Sequence, residues 1–71
     1  MAQVDGGGVM KLKWHRKDRG AYVATGVRGG MYEVERHVDG WAVFRNDRLI
    51  ETHARIAFVK KAAQTEEDFQ A

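Results

Sequence analysis

Aromatic residues and glycines recur at short intervals along this chain and divide it into short alternating segments. Trp14, Tyr22, Tyr32 and Trp41 each lie near one end of such a segment, and glycines stand where the chain must reverse. Glycine supplies the positive φ that tight hairpins require. The pattern predicts an antiparallel meander and constrains the fold more than any other feature, but it specifies no activity.

Alternation of apolar and polar residues places the strands. Four strands are predicted: Lys11 to Arg16, Ala21 to Gly26, Met31 to Val38, and the segment after Gly40. The short segment Arg48 to Glu51 is left open as a fifth strand. A two-residue type I′ turn at Asp39-Gly40 predicts that Val38 faces Trp41. Residues two apart share a face, so one face collects Tyr32, Val34, Val38, Trp41 and Val43.

The period changes after Thr52, which is predicted to be a helix N-cap. His53 to Gln64 contains no glycine or proline and is rich in alanine, so a helix of about three turns is expected. Ile56, Val59 and Ala63 form the stripe that would cover the sheet. The predicted fold class is α+β: an antiparallel meander of four to five strands with one C-terminal helix packed on one face.

The 71 residues divide into three expected parts. Residues 1–9, with three consecutive glycines, are interpreted as a flexible leader. Residues 10–64 form a single β-meander-plus-helix domain. Residues 65–71, which contain the acidic run Glu66-Glu67-Asp68, are expected to fray.

Composition argues against several classes of function. The chain has no cysteine, so disulfides and thiolate metal sites are excluded, and it has no serine nucleophile. The three histidines, His15, His37 and His53, are too far apart in sequence for a typical metal site. Glu33 and Glu35 share a strand face, but cross-strand pairing with Lys11, Lys13 or Arg45 explains them better than catalysis. We expect no enzyme activity, no cofactor and no metal, and a cytoplasmic location.

The turn glycines and core aromatics also carry a resemblance. The order Trp14, Gly20-Ala21-Tyr22-Val23-Ala24, Tyr32-Glu33-Val34 and Gly40-Trp41-Ala42-Val43, with Thr52 before an alanine-rich helix, resembles small sheet-plus-helix proteins of actinobacteria and their phages. The resemblance spans Lys11 to Ala63. It implies a phage-encoded accessory protein of unknown function, acting in the host cytoplasm.

Apolar residues outside the predicted core favour a protein interface. Met31, Phe44 and Leu49 are predicted on the second sheet face, and Phe58 projects away from the helix stripe. A contiguous patch of this kind is typical of a docking surface. The first hypothesis is therefore a non-enzymatic binding protein whose partner is another protein or a second copy of the chain, with no membrane and no small-molecule substrate.

Clustered charge favours a second hypothesis. All 12 Lys and Arg residues lie between Met10 and Lys61, against six acids in that stretch, which gives a body charge of about +6. Basic groups near a hairpin can contact a phosphate backbone. The alternative function is nucleic-acid binding by residues of the first two turns and the first strand: Lys11, Lys13, Arg16, Lys17, Arg19 and Arg28.

Overall fold

The computed structural model describes residues 11–26 and 29–70. Five antiparallel strands follow one another in the sheet in chain order, and one helix follows them. These elements are β1 (His15–Asp18), β2 (Ala21–Thr25), β3 (Met31–His37), β4 (Gly40–Arg45), β5 (Arg48–His53) and α1 (Ile56–Gln70). The predicted α+β meander with a C-terminal helix is confirmed, and the open question of a fifth strand is answered by β5.

The β4–β5 hairpin contains the type I′ geometry that the sequence analysis placed elsewhere. Arg45 pairs with Arg48 across a two-residue loop. Both loop residues have positive φ, 51° at Asn46 and 70° at Asp47. Asn and Asp tolerate this left-handed conformation better than other non-glycine residues, so the hairpin closes without a glycine.

The predicted register of the β3–β4 hairpin is wrong by two residues. Trp41 pairs with Arg36 rather than with Val38, and Val34 pairs with Val43. Val38 lies in the turn and is 97% exposed. The reason is a close approach at Gly40, where a Cβ atom would stand 2.5 Å from the carbonyl oxygen of His53. Gly40 therefore belongs to β4, where its lack of a side chain lets β5 pass.

The predicted assignment of residues to sheet faces remains correct except at Val38. A register shift of two residues leaves each strand residue on the same face of the sheet, because side chains alternate with a period of two. Tyr32, Val34 and Val43 are fully buried against Val59 and Ala63 of the helix. Trp41 and Ile50 pack against the same core.

The predicted bounds of the helix are wrong at both ends. Thr52 pairs with Ala42 inside β5 and is no N-cap. Before the helix begins at Ile56, the imidazole Nδ1 of His53 accepts a hydrogen bond from the backbone N–H of Arg55 at 3.1 Å.

At the other end, the helix continues to Gln70, so the expected fraying of residues 65–70 is wrong. Glu67 extends the stripe of Val59 and Ala63 by one turn and is 1% exposed. Side-chain hydrogen bonds between residues four apart, Gln64–Asp68 and Gln70–Glu66, also support this last stretch. Residues 1–9 lie outside the described residues.

Helix α1 covers only part of the sheet. It packs against β3, β4 and β5 and, within the described part of the chain, makes no comparable contact with β1 or β2. The backbone N–H of Leu12, just before β1, donates to the side-chain oxygen of Gln64 at 2.8 Å. We call the sheet face that carries α1 the helix side and the opposite face the open face; both expose side chains that are available for binding.

Candidate functional site

The open face is organised in rows of side chains that run across the strands. Paired residues in neighbouring strands share a face. The central row consists of one residue from each strand: His15, Val23, Glu33, Phe44 and Leu49. Met31 belongs to the next row, opposite Thr25. The sheet thus brings together residues from positions 15 to 49 on a surface that α1 does not cover.

Four apolar side chains, which we call the apolar patch, occupy neighbouring positions on this face: Val23, Met31, Phe44 and Leu49. Met31 is 55% exposed and Leu49 is 54% exposed, whereas Val23 and Phe44 are half-buried. The Met31 backbone N–H donates to Asn46 Oδ1 at 2.9 Å, which fixes the strand end near the β4–β5 turn. Three of the four predicted interface residues therefore lie on one surface.

Phe58, the fourth predicted interface residue, does not join them. It lies on α1, on the helix side, and its ring stacks on His53 with a centroid distance of 4.2 Å. It is 49% exposed. The prediction of a single surface containing Met31, Phe44, Leu49 and Phe58 is wrong, because the sheet separates Phe58 from the other three.

An ion pair interrupts the apolar patch, because Glu33 lies between Val23 and Phe44 in the central row. Lys17 Nζ lies 2.9 Å from Glu33 Oε2. The hydrogen bond to Glu33 raises the pKa of Lys17 above its ordinary value, and the negative charge of Glu33 adds to the effect. Glu33 forms a cross-strand ion pair with a basic residue, as predicted, but its partner is Lys17 rather than Lys11, Lys13 or Arg45. Glu35 lies 3.5 Å from His37 Nε2, a contact that is ionic only when the imidazole is protonated.

The six predicted nucleic-acid-binding residues are divided between surfaces. Lys11 and Lys13 line a shallow depression of about 370 Å³ with His15 and Thr25, and Lys17 reaches Glu33 on the same open face. Arg16 pairs with Tyr22, whose ring lies on the helix side. Arg19 lies in the β1–β2 turn, where its backbone N–H donates to Asp18 Oδ1. Arg28 lies outside the described residues.

A buried polar contact that the sequence analysis missed joins the helix to the sheet. The Tyr32 hydroxyl donates to Glu67 Oε1 at 2.9 Å, and both side chains are buried. Burial first, and then the hydrogen bond to Glu67, raise the pKa of Tyr32 to about 12. A phenol with this pKa keeps its proton at neutral pH, so the hydroxyl remains a hydrogen-bond donor to Glu67. The sequence signal for this contact is the spacing of four residues that places Glu67 one turn after Val59 and Ala63 on the same face of the helix.

The glycines of the β2–β3 connection leave the space for this contact. A Cβ atom at Gly26 would collide with the Glu67 carboxyl group, and one at Gly30 would stand 2.7 Å from Arg45 Nε. Arg45 Cζ lies 5.8 Å from the centre of the Tyr32 ring. Within the described residues, Arg45 Nε is buried without a hydrogen-bond partner. The cluster holds the helix in place.

Within residues 11–26 and 29–70, no three His, Asp or Glu side chains lie close enough together to hold a metal ion. In the same ranges, no helix has the length and apolar character needed to cross a membrane.

The described residues thus offer surfaces for binding, of which the open face carries most of the residues predicted from the sequence. No protein-family model, curated protein or solved structure matches the chain.

Proposed function

We propose that this chain is a non-enzymatic binding protein that docks onto a protein partner through the open face of its sheet. One observation carries the proposal: Met31, Phe44 and Leu49, predicted from the sequence to form an interface, lie beside Val23 on the face that α1 leaves uncovered. The half-exposed Met31 and Leu49 are the side chains that a partner would desolvate.

Energetics favour a protein over a small ligand on this face. Full burial of one large apolar side chain contributes roughly 1.5–3 kcal/mol, and Met31 and Leu49 are already about half-buried. Val23 and Phe44 flank Glu33 in the central row, so the four side chains supply apolar area that is interrupted by the Lys17–Glu33 ion pair. Protein interfaces combine apolar and polar groups in this way. The cations Lys11 and Lys13 near one edge favour a partner with acidic residues at the matching rim.

A second copy of the chain is the partner to test first. Domains of this size often gain stability by self-association. Phe44→Asp and Leu49→Asp place a charge in the patch, and Val38→Asp places the same charge in a turn residue that is 97% exposed. Light scattering over a concentration series should show a dimer for the parent and Val38→Asp and a monomer for the two patch variants.

A parent chain that is monomeric at all concentrations would contradict the self-association hypothesis. If Phe44→Asp then also leaves the free energy of unfolding unchanged and the variant binds every candidate protein as the parent does, the open face is no docking surface. The resemblance noted above directs the search for such a partner to phage and host proteins of the actinobacterial cytoplasm.

Nucleic-acid binding by the first hairpin is the second candidate. The observation that favours it is the alignment of Lys11, Lys13 and Lys17 on the open face. Phosphate contacts by these lysines predict binding to duplex DNA that weakens steeply with salt. Lys13→Glu should reduce a mobility shift at low salt, and the absence of any shift for the parent would contradict this candidate.

A further inference from the structure

Three aromatic side chains expected in the core are only half-buried. Trp14, Tyr22 and Trp41 pack against the edge of the core, whereas Tyr32, Val34 and Val43 fill its centre. The cause is the position of α1, which packs against β3, β4 and β5 and leaves these three rings at the margin of the core. We call Trp14, Tyr22 and Trp41 the aromatic strip.

Two rings of the strip, Tyr22 and Trp41, are neighbours, and two cations lie against the strip. The Tyr22 and Trp41 rings are 6.3 Å apart at an angle of 44°. Lys60 Nζ lies 4.8 Å from the centre of the Tyr22 ring and 5.8 Å from that of Trp14. Arg36, the cross-strand partner of Trp41, places its Cζ atom 5.7 Å from the Trp41 ring. Rings and cations therefore alternate along this surface.

The charges of these cations are not neutralised by neighbours. Among the described residues, the ion pairs are Lys17–Glu33 and His37–Glu35, so neither Arg36 nor Lys60 has an acidic partner. Glu33 and Glu35 belong to the open face, on the other side of the sheet. The strip thus combines aromatic side chains with two cations that form no ion pair with any residue of 11–26 or 29–70.

A cleft adjoins the end of the strip. Trp41, Arg36 and His53 line it together with His37, Asp39 and Thr52, and its volume is about 650 Å³. Ligand sites commonly measure about 300–1,000 Å³, and the volume of this open cleft lies in that range. The single carboxylate among these residues, Asp39, belongs to the exposed turn.

We propose that the aromatic strip binds single-stranded nucleic acid. Unpaired bases take the place of Lys60 over the Tyr22 ring and of Arg36 over the Trp41 ring. Both flexible cations then move to the phosphates beside the stacked bases. Stacking on aromatic side chains next to a positive track is the general means by which proteins hold single strands without sequence preference. A duplex keeps its bases stacked inside and offers only phosphates, so the strip prefers a single strand. This site goes beyond the proposed function, because it lies on the opposite face of the sheet.

Intrinsic fluorescence reports on this site directly, since the chain contains 2 tryptophans and both belong to the strip. Titration with a 12-nucleotide oligothymidylate at low salt should quench the emission. With two or three phosphate contacts, the affinity should fall roughly tenfold between 50 and 200 mM salt. Trp41→Ala, judged on the remaining Trp14 emission, should weaken binding roughly 5- to 150-fold.

Two neighbouring lysines provide a matched control that does not depend on folding of a Trp41 variant. Lys60 contacts the rings, whereas Lys61 is exposed beside it on the same helix. Lys60→Glu should weaken oligothymidylate binding at least tenfold, and Lys61→Glu, with the same change in net charge, should weaken it less than threefold.

Three outcomes would overturn the inference. The first is no quenching by the oligonucleotide at low salt, and the second is an equal loss of affinity for Lys60→Glu and Lys61→Glu. The third is equal binding of inorganic polyphosphate or duplex DNA, because then the bases contribute nothing. A loss with Lys13→Glu but not with Lys60→Glu would move the site to the first hairpin. Failure of the open face to bind protein leaves these results unaffected.

Discussion

Removal of the Tyr32 hydroxyl should destabilise the domain far more than removal of any other tyrosine hydroxyl. In Tyr32→Phe the Glu67 carboxyl stays buried but loses its hydrogen bond of 2.9 Å to the sheet. Loss of a buried hydrogen bond to a group that remains in place costs about 1–3 kcal/mol. For a domain of this size, a loss of about 2 kcal/mol lowers Tm by roughly 8–16 °C.

The matched control is Tyr22→Phe. Tyr22 is half-buried, and within the described residues its hydroxyl makes no hydrogen bond. This variant should lose less than about 0.5 kcal/mol, as surface substitutions usually do. Urea unfolding followed by circular dichroism measures both variants on one scale. Equal losses for Tyr32→Phe and Tyr22→Phe would refute the conclusion that Glu67 fixes the end of the helix to the sheet.

High pH, two glycines and the β4–β5 turn each test a further feature of the fold. The pKa of Tyr32 is raised to about 12 in the folded chain, against about 10 in the unfolded chain. The protonated hydroxyl therefore makes its full contribution to the free energy of unfolding below pH 10. About 2–3 kcal/mol of the free energy of unfolding should be lost as pH rises to 12. Tyr32→Phe should abolish this pH-dependent loss in urea unfolding. The same variant should also lack the late phase of tyrosine ionisation in an absorbance titration at 295 nm. Gly40→Ala should cost more than about 2 kcal/mol, since the new Cβ would stand 2.5 Å from a backbone oxygen of β5, whereas Gly29→Ala, with φ of +75° and open space, should cost about 1 kcal/mol. Asp47→Gly should raise the free energy of unfolding by about 0.5 kcal/mol and Tm slightly, because Asp47 has a φ of 70° in the type I′ turn. A lower Tm would contradict this.

The meander was predictable because its information is local. Alternation assigns residues to faces and the turn residues mark the reversals approximately, so the number and order of the strands and the buried Tyr32, Val34 and Val43 follow from the sequence. The first strand lies at His15–Asp18 rather than at the predicted Lys11 to Arg16. The β3–β4 register was not predictable from the turn motif. Gly40 is required by the backbone of β5 rather than by the hairpin, and a shift of two residues leaves the face pattern unchanged.

The remaining differences depend on how far one element covers another. Glu67 belongs to an acidic run that reads as a solvated tail, and its burial is supported by the hydrogen bond from the Tyr32 hydroxyl. Trp14 and Tyr22 are only partly buried because α1 packs against β3, β4 and β5. Of the candidate interface, the three sheet residues were placed correctly on one face, whereas Phe58 depended on the orientation of the helix.

The chain-order sheet has a consequence for how fast the domain folds. Every strand pairs with its neighbour in sequence, so each hairpin closes a short loop on the microsecond timescale. Docking of the helix instead joins residues 35 apart at Tyr32–Glu67 and 52 apart at Leu12–Gln64. This step has the largest loop-closure entropy and should limit the rate. The chain contains 0 prolines, so refolding should proceed without the slow phase that prolyl isomerisation imposes on many domains.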